Sequence, residues 1–547
     1  MSGPCWLPIA AVAVVLSIAC GRSSNMTSPS PQSRAEQSAF EETSRYADVH
    51  AFINGLAQAT PRVRVEMFGR SEDGRELPLL VIGDPPAAAP VQPGGSGLPI
   101  VFVMANIHAG EVEGKEAVLH LARRLTLGDL QPLLRSAVWL FAPIYNADGN
   151  ETISLENRSE QYGPVGGVGT RENARGLDLN RDFMKLESSE ARALVSLFTR
   201  WKPDVVVDLH TTNGSYHGYH LTYAPALNPN TDARITGFTR EQLLPAVRRA
   251  MADRHEFRTY DYGNFAVAES LEEELEGFAP DDTQKVWRTY DPRPRFGNNY
   301  VGLRNRIAIL SEAYSYLSFE RRVRATEAFV EEIMRFVASN AADIRALTTG
   351  ADGALTRDIP PDGGVAFALR PLPTPVDVLV GATDTMVNRR SGKPMRIMIE
   401  TVATPTSMTV YDGFVATATR RVPPEYIVPA SASGLHEIVE RTLKEHGILV
   451  ERSDASSRVS VEQFVVARVR HAGQVFQGHR TTSISGRFER REVVVPAGSV
   501  VVRTNQPLGR LVFYLLEPES DDGLTTWNFF DETLTAGVTH PVLKSAP

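Results

Sequence analysis

Four short apolar runs constrain this chain most: Ile100 to Ala105 (IVFVMA), Val138 to Ala142 (VWLFA), Val205 to Leu209 (VVVDL) and Ile307 to Leu310 (IAIL). They are apolar without alternation, broken only by Asp208, the pattern of a strand buried on both faces. Helical patterns separate them, and Val118, Leu121, Ala122 and Leu125 make one such helix face. Strands of this kind joined by helical crossovers predict an α/β fold, a mostly parallel or mixed sheet with helices on both faces. In open sheets of this type the ligand crevice lies at the carboxyl ends of the strands, so the segments that follow each run should converge there. Those segments are Asn106-Ile107-His108-Ala109-Gly110-Glu111, Tyr145-Asn146-Ala147-Asp148-Gly149, His210-Thr211-Thr212-Asn213-Gly214 and Glu312.

The two cysteines, Cys5 and Cys20, both lie near the N-terminus, so any metal in the body of the protein must be held by His and carboxylate. His108 and Glu111, three residues apart, can aim at one point, and His210 arriving from another strand completes two nitrogens and one carboxylate. That donor set predicts one catalytic Zn²⁺ with a fourth position left for water. Glu312 ends a buried strand beside the same edge, where an unpaired carboxylate must serve chemistry; general base is the predicted role, and pairing with Arg304 or Arg306 the alternative. The loop Arg171 to Phe183 adds three arginines, whose planar forks suit carboxylates and oxyanions. His217 and His220, in a stretch rich in Tyr and Gly, are assigned to packing and hydrogen bonding rather than to a metal.

Around this core the chain divides as follows. Residues 1–19 read as a signal peptide, with the apolar run Ile9 to Ile18 too short to cross a bilayer. The sequence Ser17-Ile18-Ala19-Cys20 resembles a bacterial lipoprotein signal, which predicts lipidation of Cys20, attachment to a membrane only through that anchor, and an exported location in the cell envelope (periplasm or outer membrane); an ordinary cleaved secretory signal with a secreted product is the alternative. A Ser/Pro-rich linker covers 20–39, and a catalytic domain 40–348. It opens with a helix carrying Tyr46, Val49, Phe52, Ile53 and Leu56 and a hairpin turning at Ser71-Glu72-Asp73-Gly74. Residues 349–364 read as a linker and 365–547 as a smaller, mainly β domain, with one helix near Ser433 to His446 and strands at Val461 to Val469, Arg491 to Val495 and Leu511 to Leu516. The formal charge of −8 argues against a nucleic-acid partner. The acidic cluster Glu272 to Glu276 reads as a solvated helix face.

These residues resemble the zinc carboxypeptidase family, the metallopeptidases typified by carboxypeptidase A, and here an exported bacterial member. The resemblance is carried by Gly69-Arg70-Ser71 with Gly74-Arg75, His108-Ala109-Gly110-Glu111, Asn146-Ala147-Asp148-Gly149, Gly176-Leu177-Asp178-Leu179-Asn180-Arg181-Asp182-Phe183, Asp208-Leu209-His210 and Glu312, in the family's order over about Phe40 to Ala346. It implies that His108, Glu111 and His210 bind zinc, that Glu312 is the base, that Asn180 and Arg181 hold a substrate's terminal carboxylate, that Arg171 polarises the scissile carbonyl, with Arg158 and Arg175 nearby as alternatives, and that Asp178 orients a ligand histidine. The substrate-capping tyrosine is assigned to Tyr300, with Tyr290 as the alternative. The chain departs from the family in Ala147, where proline is usual, and in Asp182, where asparagine is usual. The implied activity is release of the C-terminal residue from peptides with a free carboxylate. The alternatives are hydrolysis of small N-acyl amino acids or cell-wall peptides, or an idle envelope peptide-binding protein, against which the retained Glu312 argues.

Overall fold

The computed structural model describes residues 1–3, 30–89, 97–267, 285–431 and 433–546. The apolar run around Ile9, Cys20 and the Glu272 to Glu276 cluster lie outside the described residues.

The four apolar runs are the centre of one eight-stranded sheet. Its order is Val63–Arg70, Glu76–Ile82, Val138–Ala142, Ile100–Ala105, Val205–Thr212, Ile307–Tyr314, Leu221–Pro225 and Thr259–Asp261. The central four run parallel, while the opening hairpin and Leu221–Pro225 join antiparallel, so the sheet is mixed. Every residue of the first three runs is buried, as continuous apolar patterning requires. Helices cover both faces. Leu209 packs against Gly114 of the helix Glu113–Leu127, where an added Cβ would come within 2.7 Å of the leucine's own. Val206, three residues back on the other face, borders one hollow with Phe198 of Ser189–Trp201 and Val301 of Gly297–Leu303.

Three expectations need correction. Part of the N-terminal linker is folded: Ser33 caps a short helix, Arg34–Gln37, in a capping box with Glu36, and Ala35 is buried against Val112, Ala117 and Val323. The linker at 349–364 is mostly helix, since Ala341–Arg357 runs through it with Ile344, Thr348, Ala351 and Leu355 facing inward. Its glycines and Thr residues mislead because tertiary burial of one face overrides their weak propensity. Leu511 to Leu516 is not a strand but the end of the helix Gly509–Leu516, buried on nearly all sides. A continuous apolar run of that length fits a buried helix as well as a strand.

The second half is mainly β, as expected, but it is not a separate body. Val410–Arg421 pairs antiparallel with Asp362–Pro371 and parallel with Lys285–Arg288, a strand of the first half, in one four-stranded sheet. A six-stranded sheet follows, ordered Glu451–Arg452, Val500–Arg503, Glu425–Val428, Thr539–Ser545, Ser457–His471 and Thr482–Val495. One apolar core runs from the first sheet through Phe198 and Trp201 to Val439, Leu443 and Leu511 to Leu516. No helix among the described residues is long and apolar enough to cross a membrane.

Candidate active site

At the carboxyl ends of the central strands, His108, Glu111 and His210 come together, each at most 4% exposed. His108 Nδ1 lies 3.1 Å from Glu111 Oε1, His210 Nδ1 3.1 Å from Glu111 Oε2, and the two Nδ1 atoms 3.3 Å apart. A tetrahedral zinc with bonds of about 2.0–2.1 Å spaces its ligand atoms by about 3.3–3.4 Å, so the separations suit a metal. The outer nitrogens explain why both rings turn the same atom inward. His108 Nε2 is 3.0 Å from Asp178 Oδ1 and His210 Nε2 is 2.9 Å from Asp208 Oδ2. A carboxylate at each Nε2 favours a proton there and leaves the Nδ1 lone pair as donor. Two histidines and a carboxylate, each histidine backed by its own aspartate, is a donor set into which zinc fits.

Glu312 reaches the same cleft by strand register. In the parallel ladder between Val205–Thr212 and Ile307–Tyr314 it is the partner of His210, so the two side chains emerge side by side. It makes no ion pair with Arg304, which bonds Tyr300 and the His446 carbonyl, or with Arg306, which pairs with Asp352. Burial pushes the Glu312 carboxyl up to about 8, with Glu111 adding to the rise and His210, Arg158 and Arg171 opposing it. For Glu111 burial also favours the neutral acid, but His108, His210 and Arg158 outweigh it and hold the carboxylate well below its usual range. Burial would likewise discharge His210, yet Asp208 and Glu111 carry its imidazole well above the usual value.

The arginine loop is built from the family motifs. Asp148 accepts from Ser71 Oγ (2.6 Å), the Asp73 backbone N–H (3.0 Å) and Arg75 (2.6 Å), which pins the opening hairpin to the helix Ala147–Glu151. Asn146 caps that helix through the Gly149 N–H and donates its amide to the Arg171 carbonyl at 3.1 Å. Ala147 takes the first helical position, where proline is favoured but not required. Arg171 Nε then donates to Asp178 at 2.9 Å while its terminal NH1 lies 3.7 Å from Glu111, and the side chain stays 41% exposed, free to meet a ligand. Asp182 is equally accounted for. Its carboxylate takes the Lys185 ammonium, the Glu187 and Ser188 N–H groups and the Ser188 hydroxyl, so a charge replaces the usual amide at no unpaired cost.

Asn180 and Arg181 line the cleft together with Tyr262, Tyr290, Phe296, Asn298, Leu310 and Glu312, around a hollow of about 250 Å³. Asn180 Oδ1 accepts from the Gly297 N–H at 2.8 Å, and the Arg181 guanidinium sits 3.8 Å over the Phe296 ring. Burial lowers the Arg181 pKa, with Asp178 working against it.

Tyr300 is not at the cleft. It is fully buried, with its hydroxyl 2.8 Å from His446 Nδ1 in the second half of the chain. On a helix residues two apart point about 200° away from each other, so with Asn298 on the cleft side Tyr300 must face the far side. Tyr290, the alternative, lines the cleft, as does Tyr262; Tyr290 accepts from Asn298 at 3.0 Å. His217 packs on Tyr314 at 4.1 Å between ring centroids, and His220 meets Glu400 at 3.0 Å, so neither joins the metal donors.

Two participants had no settled role in the sequence reading. Asp208 was legible, because residues two apart on a strand share a face and Asp208 must lie beside His210. Arg158 was not. It reaches in from a loop to place NH1 3.2 Å from Glu111 and NH2 on the Thr211 carbonyl. The motif glycine at 110 makes room for it, since a Cβ there would sit 2.8 Å from Arg158 Cδ.

The family model described as zinc carboxypeptidase matches residues 49–284. Carboxypeptidase 2 of Trichophyton rubrum is 22% identical over 552 aligned residues, covering 96% of this chain and 90% of that one. Human carboxypeptidase Z is 35% identical over 154 residues, 27% of this chain and 22% of its own length. A metallo-carboxypeptidase structure from Burkholderia cenocepacia matches 53% of this chain and 69% of its own, with a TM-score of 0.37 and 20% identity. With its matched segment spanning both histidines of the metal cluster and relatives aligned over nearly its whole length, the chain is similar to the zinc carboxypeptidases, a likeness that supports a metallopeptidase of the carboxypeptidase type.

Proposed function

We propose that this protein is a zinc-dependent carboxypeptidase that hydrolyses the last peptide bond of peptides with a free C-terminal carboxylate. The observation that carries the reading is the shared cleft: three metal-donor atoms, a carboxylate in register beside them, and the Asn180–Arg181 pair line one hollow. Zinc bound by His108, Glu111 and His210 would polarise the scissile carbonyl and acidify the attacking water. Glu312 takes that water's proton and returns it to the leaving amine nitrogen. Arg171, half-exposed at the rim, stabilises the charge that develops on the carbonyl oxygen. Asn180 and Arg181 receive the terminal carboxylate, which is matched to a guanidinium fork.

A second hollow of about 340 Å³ shares His108, Glu111, Arg158 and Arg171 with the first and continues past them to Glu156 and Glu172. Room on both sides of the metal donors favours a peptide over a small acylated amino acid. No residue after Glu312 lines either hollow among the described residues, so the second half forms no lid over them. Among the described residues the lining carboxylates of the first hollow are Glu111 and Glu312, which favours a neutral rather than a basic C-terminal side chain.

The test is a matched pair of blocked peptides, one free acid and one C-terminal amide, assayed with zinc and with chelator. Only the free acid is expected to be cleaved, and only with zinc. In the Arg181→Ala variant KM for the free acid should rise about 10–100-fold, the scale of a lost charge-assisted contact, with kcat little changed because ground and transition states lose it alike. Equal cleavage of acid and amide would favour the amide-hydrolase alternative.

Zinc uptake itself has a pH signature. His210 holds its proton well above the usual imidazole range in the metal-free protein, and a ligand nitrogen must be deprotonated. Zinc affinity therefore falls as pH falls through the range in which His210 is protonated, and zinc binding at neutral pH releases a proton. Calorimetric titration in buffers of different ionisation enthalpy measures that release; its absence would mean His210 is neutral beforehand. Export with a lipid on Cys20 is the remaining part of the proposal, supported by the N-terminal sequence, and loss of fatty-acid labelling in Cys20→Ser checks it.

A further inference from the structure

The long hairpin of Ser457–His471 and Thr482–Val495 ends in the tight turn Phe476-Gln477-Gly478-His479. Phe476 and His479 exchange both backbone hydrogen bonds, at 2.7 and 2.9 Å, and the central residues have φ of +50° and +80°. These features fit a type I′ turn, whose first central position favours Asn, Asp or Gly, and a glutamine is strained there. Its side chain is committed: Gln477 Oε1 accepts the Asp178 backbone N–H at 2.9 Å, across 299 residues of sequence. The neighbouring contacts fall close by. The Phe476 ring lies 5.3 Å from Arg295 Cζ, and His479 Nε2 is 2.9 Å from Glu187. Arg295 is held in turn by Asp522 at 2.8 Å and by Trp527, both in the second half.

One turn thus braces both segments between which Arg181 is held. Asp178 begins the bend that carries Asn180 and Arg181, and Phe296, next to Arg295, is the ring under the Arg181 guanidinium. No residue of the turn lines the cleft.

We propose that the second half of the chain is a positioning element for the carboxylate-binding end of the cleft, acting chiefly through Gln477 on the Asp178 backbone. This rests on the reading of Arg181 as the receiver of the substrate carboxylate. The Asp178 carboxylate stays held by His108 and Arg171, so loss of Gln477 loosens the backbone of 178–181 and spares the metal donors.

The experiment uses the full-length, zinc-loaded protein and a blocked peptide with a free carboxylate. Gln477→Ala should raise KM about fivefold, the scale of one neutral hydrogen bond, with kcat within about twofold and zinc content unchanged. On an Arg181→Ala background the same change should add nothing, because its effect passes through that arginine. Gln477→Glu, which keeps an acceptor oxygen, should stay within about twofold of wild type. His479→Ala, which frees the turn from Glu187 without touching Asp178, should move KM in the same direction. An unchanged KM in Gln477→Ala, an equal rise on both backgrounds, or a joint fall of kcat and zinc content overturns the proposal. If Arg181→Ala leaves KM unchanged, the carboxylate reading fails as well; if it raises KM and Gln477→Ala does not, only the positioning role fails.

Discussion

Glu312→Gln is expected to lower kcat about 10²–10⁴-fold or more while leaving zinc content and substrate affinity near wild type. Gln keeps the size and most of the hydrogen bonding of Glu but cannot take a proton. Glu312 is not one of the three converging donors, so the metal should stay. Burial pushes its carboxyl up to about 8 in the metal-free protein, the direction that makes a carboxylate a stronger base. A bound dication lowers that value, so the loaded enzyme should have Glu312 ionised at neutral pH. Because the base must be unprotonated, kcat/KM should fall as pH falls through the value that Glu312 takes in the loaded enzyme. Turnover of the variant within a few-fold of wild type would make Glu312 structural. Loss of zinc would make it a ligand.

Much of this site is legible in the sequence because its parts are local. A buried strand followed by a polar segment identifies both the sheet and its active edge, and His108, Glu111, His210 and Glu312 each sit within a few residues of such a strand end. What could not be read depends on contacts distant in sequence. Whether Tyr290 or Tyr300 faces the cleft is decided by where the helix Gly297–Leu303 begins and what packs on its far side, and the latter is His446. Arg158 joins the site from an irregular loop without periodicity. That the second half is joined to the first could not be read for the same reason. Composition reads 349–364 as a boundary, but the strands Lys285–Arg288 and Val410–Arg421 pair across it and the apolar core is continuous. Gln477 is the extreme case, since nothing in its local sequence points to Asp178.

The two aspartates behind the ligand histidines give the metal site its sharpest test. His210→Ala removes one of three donors and should weaken zinc binding by well over about 10²-fold, beyond the usual effect of replacing a group that only orients a ligand. Activity should then be lost at any practical zinc concentration. Asp208→Asn leaves all three donors in place and removes only the carboxylate 2.9 Å from His210 Nε2. The amide can still accept from the ring, so the imidazole keeps its orientation but loses the negative charge that raises its basicity. Zinc affinity should fall about 10–100-fold, and added zinc should restore activity. The same substitution removes the strongest influence holding the His210 proton, so less proton should be released when zinc binds. Equal zinc loss in the two variants would mean that Asp208 is a ligand itself. Full affinity in Asp208→Asn would mean that Glu111 and His108 fix the site and that the charge behind His210 contributes nothing measurable to it.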